Sequence, residues 1–128
     1  MTLAELDRWL SAYGAAWERR DADAFAALFS ADAMYRWGPF AEPLHGRDEI
    51  RARVEQAVSV QADVRFGYEP LAVTTDGRGI AHWWVSYRVP TRSIAEENDG
   101  IFIVSLAEDG RCREFREWWN ARERAERG

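Results

Sequence analysis

The chain has no lysine, a single cysteine, two histidines and no apolar run of membrane-spanning length, and each shortage removes a class of function. With Cys112 alone, no intramolecular disulfide can form, which suits a reducing cytoplasm and sets the expected localisation. On spacing, that thiol reads as a small filler on a strand before it reads as a nucleophile. All 17 basic residues are arginine, a usage attributable to genome composition, and they are interspersed among 22 acids for a net charge of −5. No basic face is left to neutralise phosphates or follow an anionic lipid surface, so neither nucleic acid nor membrane is an expected partner. The start of the chain carries acids where a secretion signal would carry a positive charge and an apolar run. Two histidines 37 positions apart, without HxxxH or CxxC spacing, offer no metal site. Phosphate-cradling glycine motifs and a G-x-S-x-G turn are missing too, so no cofactor is expected.

What is present is aromatic: 13% of the 128 residues, with seven tryptophans, in an otherwise ordinary globular composition of 47% hydrophobic and 30% charged residues. That length suits one domain with a real core, spanning residues 1–128. Thr2-Leu-Ala-Glu5 reads as a capping box, and Leu3, Leu6, Leu10, Tyr13 and Trp17 follow on one helical face. Trp9 lies beside that stripe. Asp21 is placed to cap a shorter second helix burying Phe25, Leu28 and Phe29, before a short strand over Ala33–Trp37. Gly46-Arg-Asp-Glu opens a third helix with Ile50, Val54 and Ala57 or Val58 as its buried stripe.

From Asp63 the hydrophobic period changes to two, with turn signals at Asp76-Gly77 and Asp109-Gly110. Strands are predicted near 63–74, 79–89, 98–107 and 111–120, with 90–97 as a longer connection and 121–128 as a charged tail. Three helices before an antiparallel meander make an α+β arrangement, a cone-shaped roll in which the helices cover one face of a curved sheet. Alternation puts Ala81, Trp83, Val85 and Tyr87 inward on the second long strand. On the last strand it sets Arg113, Phe115, Glu117 and Trp119 against Cys112, Glu114, Arg116 and Trp118.

Four stretches, Tyr13–Asp21, Ala27–Ala33, Leu44–Ile50 and Asp109–Glu114, resemble in order and separation the nuclear transport factor 2-like superfamily. Its members include ketosteroid isomerase and the SnoaL-like cyclases, and their fold is the cystatin-like cone. The resemblance covers essentially the whole chain and implies a conical pocket, with dimers through the outer sheet face. It does not imply one chemistry. Tyr13 falls where the ketosteroid isomerases have their oxyanion-binding tyrosine, although a core phenol bonded to a carbonyl is the competing reading. Trp37 stands where those isomerases carry their base and Phe102 where they carry a second acid, while Asp99 falls on the opposite strand face. That particular activity is therefore disfavoured.

Three candidates remain for acid–base work. Glu117, between Phe115 and Trp119, would have its pKa raised by desolvation, or would be a strand glutamate paired with Arg113 or Arg116. Tyr13 could donate to a developing oxyanion. His45, in the loop before the third helix, could shuttle a proton at the pocket mouth or face solvent. The expected lining for a small apolar or aromatic molecule is Trp17, Tyr35, Trp37, Trp83, Phe102, Phe115 and Trp119, unless these rings close-pack and leave no cavity. Trp84 and Trp118, with His82, Arg88 and Arg116, suggest a homodimer through the outer face. The functional expectation is a cofactor-independent cyclase, isomerase, dehydratase or hydrolase. The alternatives are a non-catalytic ligand-binding or accessory domain, and a protein-interaction module.

Overall fold

The computed structural model describes residues 1–126, and it is an α+β fold in which N-terminal helices pack on one six-stranded sheet. Helix α1 runs Leu3–Glu18, capped as the sequence predicts: the Thr2 hydroxyl accepts from the Glu5 amide, and the Glu5 carboxylate accepts from the Thr2 amide, both at 3.1 Å. Its buried face is Leu6, Trp9, Leu10, Tyr13 and Ala16, whereas Leu3 is exposed. Trp9 thereby joins the core, with its indole N–H donating to the Leu28 carbonyl at 3.1 Å. Asp21 caps α2 by accepting from the Ala24 amide at 3.0 Å.

Helix α2 covers only Ala22–Ala26, so the first strand starts earlier than the sequence predicts, with β1 spanning Phe29–Arg36. The reason is tertiary: the Cys112 amide donates to the Leu28 carbonyl at 2.8 Å, and Phe29 pairs with Cys112, drawing this segment out of the helix. A two-residue strand, β2 (Leu44–His45), precedes helix α3 (Gly46–Val58).

Four long strands follow: β3 (Ala62–Val73), β4 (Arg78–Val89), β5 (Ile94–Leu106) and β6 (Cys112–Ala125). The spatial order is β2-β1-β6-β5-β4-β3, antiparallel throughout except for the β1–β6 pair, which is parallel. Gly77 and Gly110 adopt positive φ, +84° and +85°, in the turns that the Asp-Gly pairs marked.

Two segments depart from the sequence reading. The connection expected over 90–97 shrinks to a single 3-10 turn at Pro90–Arg92, and residues 94–97 instead pair with 122–125 of the expected tail. This ribbon carries few apolar side chains, and its cross-strand partners are charged: Glu97 with Arg122 at 2.8 Å and with Arg124 at 2.9 Å, while Arg92 of the preceding turn reaches Glu123 at 3.3 Å. Hydrophobic alternation cannot reveal such strands. Arg127 and Gly128, at the end of the expected tail, lie outside the described residues. The second departure is a bulge in β6, where Leu106 opposes Cys112 but Ser105 opposes Glu114. The extra residue, Arg113, turns Cys112 inward, so its expected place on the outer face is corrected: it is fully buried beside the core.

Among the described residues no helix is long and apolar enough to cross a membrane.

Candidate functional site

Pairing across β4, β5 and β6 arranges the inner sheet face in rows. Ala81, Phe102 and Glu117 form one row, Trp83, Gly100 and Trp119 the next, and Val85, Asn98 and Ala121 a third. Helix α3 passes over these rows without closing on them, leaving a cavity of about 300 Å³ between Ile50, Arg53, Val54 and Ala57 of the helix and the sheet. Gly100 is obligatory in its row, because any side chain there would collide with the Trp118 backbone carbonyl. Two indoles flanking a glycine thus form part of the cavity wall.

Glu117 is 8% exposed and lines this cavity. Its carboxylate accepts from the Tyr35 hydroxyl at 3.0 Å, and the Tyr35 hydroxyl lies 3.3 Å from that of Tyr13, making a buried chain across α1, β1 and β6. Burial pushes the Glu117 carboxyl up to about 8, partly opposed by the Tyr35 hydrogen bond and by the positive charge of Arg53. The carboxyl therefore holds its proton at neutral pH. Both phenols are pushed well above their ordinary value, first by desolvation and then by the negative charge that Glu117 would carry. The alternative of an ion pair with Arg113 or Arg116 is not realised. Arg113 sits on the bulge, and the Arg116 guanidinium lies 4.9 Å over the Trp118 ring.

Of the seven rings expected to contact a ligand, Trp17, Tyr35, Trp37, Trp83 and Trp119 line the cavity. Phe102 and Phe115 lie beneath it, fully buried. Phe102 stacks on Trp83 at 4.7 Å and 9° between planes, and Phe115 on Tyr35 at 4.8 Å and 14°. The rings therefore pack part of the interior and leave part of it open. Trp119 is 41% exposed, held at the rim by its N–H donating to the Trp37 carbonyl at 2.8 Å.

Tyr13 also lines the cavity, next to Glu117 through Tyr35. His45 does not. It is exposed on β2 as the N-cap residue of α3, its amide donating to Glu49 at 3.3 Å. Among the described residues no group of three or more His, Cys, Asp or Glu side chains could hold a metal ion. The buried Cys112 thiol is pushed far up by desolvation and donates to the Glu114 carbonyl at 3.2 Å, which leaves it unreactive.

Sequence reasoning missed three polar wall residues, Arg53, Gln61 and Asn98. Arg53 lies three positions after Ile50 on the buried side of α3 and sits 4.8 Å over the Trp37 ring, with no carboxylate partner among the described residues. A charged residue inside an apolar stripe was its only signal. Gln61 accepts from the Trp17 N–H at 2.8 Å. Asn98 donates to the Tyr87 hydroxyl at 3.3 Å. Tyr87 was legible as an inward residue of its strand, but Gln61 lies between α3 and β3, and Asn98 is the first residue of the strand expected over 98–107, where alternation has no preceding partner to count from.

Residues 10–115 match the family model described as SnoaL-like domain. No curated protein matches the chain in sequence. Among solved structures, RV0760c from Mycobacterium tuberculosis superposes with a TM-score of 0.83 at 11% identity, covering 97% of this chain and 99% of the other. An isomerase candidate from Bacillus subtilis gives 0.80 at 18% identity, covering 94% and 90%. The epoxide hydrolase/cyclase-like enzyme SalBIII, of pyran ring formation in salinomycin, gives 0.76 at 17% identity and 89% of both chains. At these identities the likeness is one of fold.

Proposed function

The chain belongs to the SnoaL-like domain family, and we propose that it is a cofactor-independent acid–base enzyme acting on a small, largely apolar molecule. The observation that carries this reading is the Glu117 carboxyl, buried on the wall of an aromatic cavity and hydrogen-bonded by Tyr35, where desolvation pushes its pKa up to about 8. A carboxyl whose pKa lies near the working pH is suited to give a proton and take one back. In the proposed step Glu117 donates its proton to a ligand oxygen, the Tyr35 hydrogen bond stabilises the carboxylate left behind, and that carboxylate then removes a proton from the substrate. With a ketone the net result is the enol tautomer; with a hydroxy-epoxide the protonated epoxide C–O bond breaks as the hydroxyl oxygen forms the new ring C–O bond and gives its proton to the carboxylate, so no proton is gained or lost. Arg53 adds a positive charge that favours the carboxylate. The names of the two enzyme-like structural neighbours, an isomerase candidate and an epoxide hydrolase/cyclase-like enzyme, are compatible with that chemistry.

The test begins with tryptophan fluorescence titrations against apolar ketones and epoxides, followed by turnover assays of whatever binds. Glu117→Gln should keep binding within a few-fold and lower turnover at least 100-fold. Unchanged turnover removes Glu117 from the mechanism. A second reading, a non-catalytic binder, is favoured by Trp37 standing where the related isomerases carry their base. Binding with no turnover of any ligand would select it.

A further inference from the structure

Two side chains that line the cavity each carry a buried polar atom with no hydrogen-bond partner among the described residues: the Trp83 indole N–H and the Asn98 side-chain oxygen. Trp83 is 2% and Asn98 9% exposed. Buried polar groups are nearly always satisfied, so an orphaned donor and an orphaned acceptor in neighbouring rows of one wall mark a place where a guest supplies both missing bonds. The registers say where this place lies. Asn98 opposes Val85, two rows from the Phe102–Glu117 row, a separation of about 13 Å along the strands. Trp83 occupies the row between. Tyr87 holds the other end of the Asn98 amide, so the amide is fixed in place. The cavity therefore has Glu117 in one row and Asn98 two rows away, with the Trp83 indole between them.

We propose that the end remote from Glu117 is a hydroxyl-recognition subsite, in which an alcohol or phenol group of the ligand accepts from the Trp83 N–H and donates to the Asn98 oxygen. A hydroxyl is the simplest group that is donor and acceptor at once, and it complements both orphans. A ketone or ether could satisfy only Trp83, and a cation only Asn98. The proposal rests on the reading of the cavity as a substrate site and adds the substrate class to it: an elongated apolar body with a reacting oxygen at the Glu117 end and a hydroxyl at the other.

A matched pair of probes tests it: 2-acetonaphthone, and 6-hydroxy-2-acetonaphthone, which adds a hydroxyl at the end opposite the ketone. Calorimetric titration of the wild-type chain should give a dissociation constant at least tenfold lower for the hydroxylated ketone. Asn98→Leu and Trp83→Phe should each bring the ratio of the two dissociation constants, taken within that variant, down to about twofold or less, with folding checked by circular dichroism. Equal binding of the two ketones to the wild type overturns the subsite and leaves the acid–base reading standing. Binding of neither overturns both. A preference that survives in both folded variants places the hydroxyl elsewhere and also overturns the proposal.

Discussion

The Tyr35 hydroxyl donates to Glu117 across 3.0 Å although the two residues stand 82 positions apart, one on β1 and the other on β6. They meet because these strands pair in parallel, with Tyr35 beside Phe115 and Arg36 beside Arg116. The bond favours the ionised carboxylate, yet burial outweighs it and holds Glu117 near 8 instead of its ordinary 4.5.

That balance makes stability depend on pH. Below about 4.5 Glu117 is protonated folded and unfolded alike, and it costs nothing. Between 4.5 and about 8 the unfolded chain has released the proton while the folded chain keeps it, so stability falls as pH rises. Above 8 the folded chain carries a buried charge and the loss is complete. Glu117→Gln should therefore stabilise the protein at pH 9 by on the order of 4 kcal/mol relative to its effect at pH 4, read by urea denaturation at both values. A difference between variant and wild type that is the same at both pH values would contradict the raised pKa.

Removing what favours the carboxylate should push its titration higher. Tyr35→Phe deletes the hydrogen bond, and Arg53→Met deletes the positive charge while keeping an apolar stem against Trp37. A hydrogen bond to a charged group is worth about 1.5–3 kcal/mol, so the Tyr35→Phe midpoint should rise by roughly one pH unit or more. The carboxyl carbon resonance of Glu117, followed by NMR against pH, reports it directly. A midpoint unmoved in both variants would show that neither group acts on Glu117.

Phe102 should prove structural. It is fully buried, stacked on Trp83, and set against Phe115 at 4.6 Å and Tyr13 at 5.3 Å. Phe102→Ala should cost about 3–5 kcal/mol in thermal or urea unfolding, and Phe102→Leu less than about 2 kcal/mol. A neutral Phe102→Ala would mean that the rings beneath the cavity are loosely packed.

The outer sheet face is the expected dimer surface. Trp84 is 40% exposed there, its ring lying across Gly67, and Trp118 stands under Arg116. His82 and Asp99 meet beside them at 3.0 Å. Light scattering at micromolar concentration should give twice the chain mass for the wild type and a single mass for Trp118→Glu. A monomeric wild type would leave Trp84 as a cover for a glycine and nothing more.

The separation of inner from outer rings was legible wherever a strand alternated cleanly. Trp83 and Trp84 fall on the faces that their parity assigns, because successive side chains on an unbroken strand must point opposite ways. Parity failed at Cys112, where one inserted residue reverses the count, and no local signal in Arg111-Cys-Arg113 announces a bulge. It was silent over 94–97 and 121–125, where cross-strand charges replace apolar contacts.

The amino-acid sequence by itself determined the helix caps, the turns at Gly77 and Gly110, the order of helices before strands, and the inward direction of Glu117, since each depends on neighbours a few residues apart. Tertiary structure alone decided that Glu117 would find Tyr35 and not an arginine, that Phe102 and Phe115 would be buried while Trp83 and Trp119 line an open cavity, and that Asn98 and Trp83 would each keep an unspent hydrogen bond. Those outcomes depend on strand register and on how far a helix stands off a sheet, quantities set by packing across the whole domain.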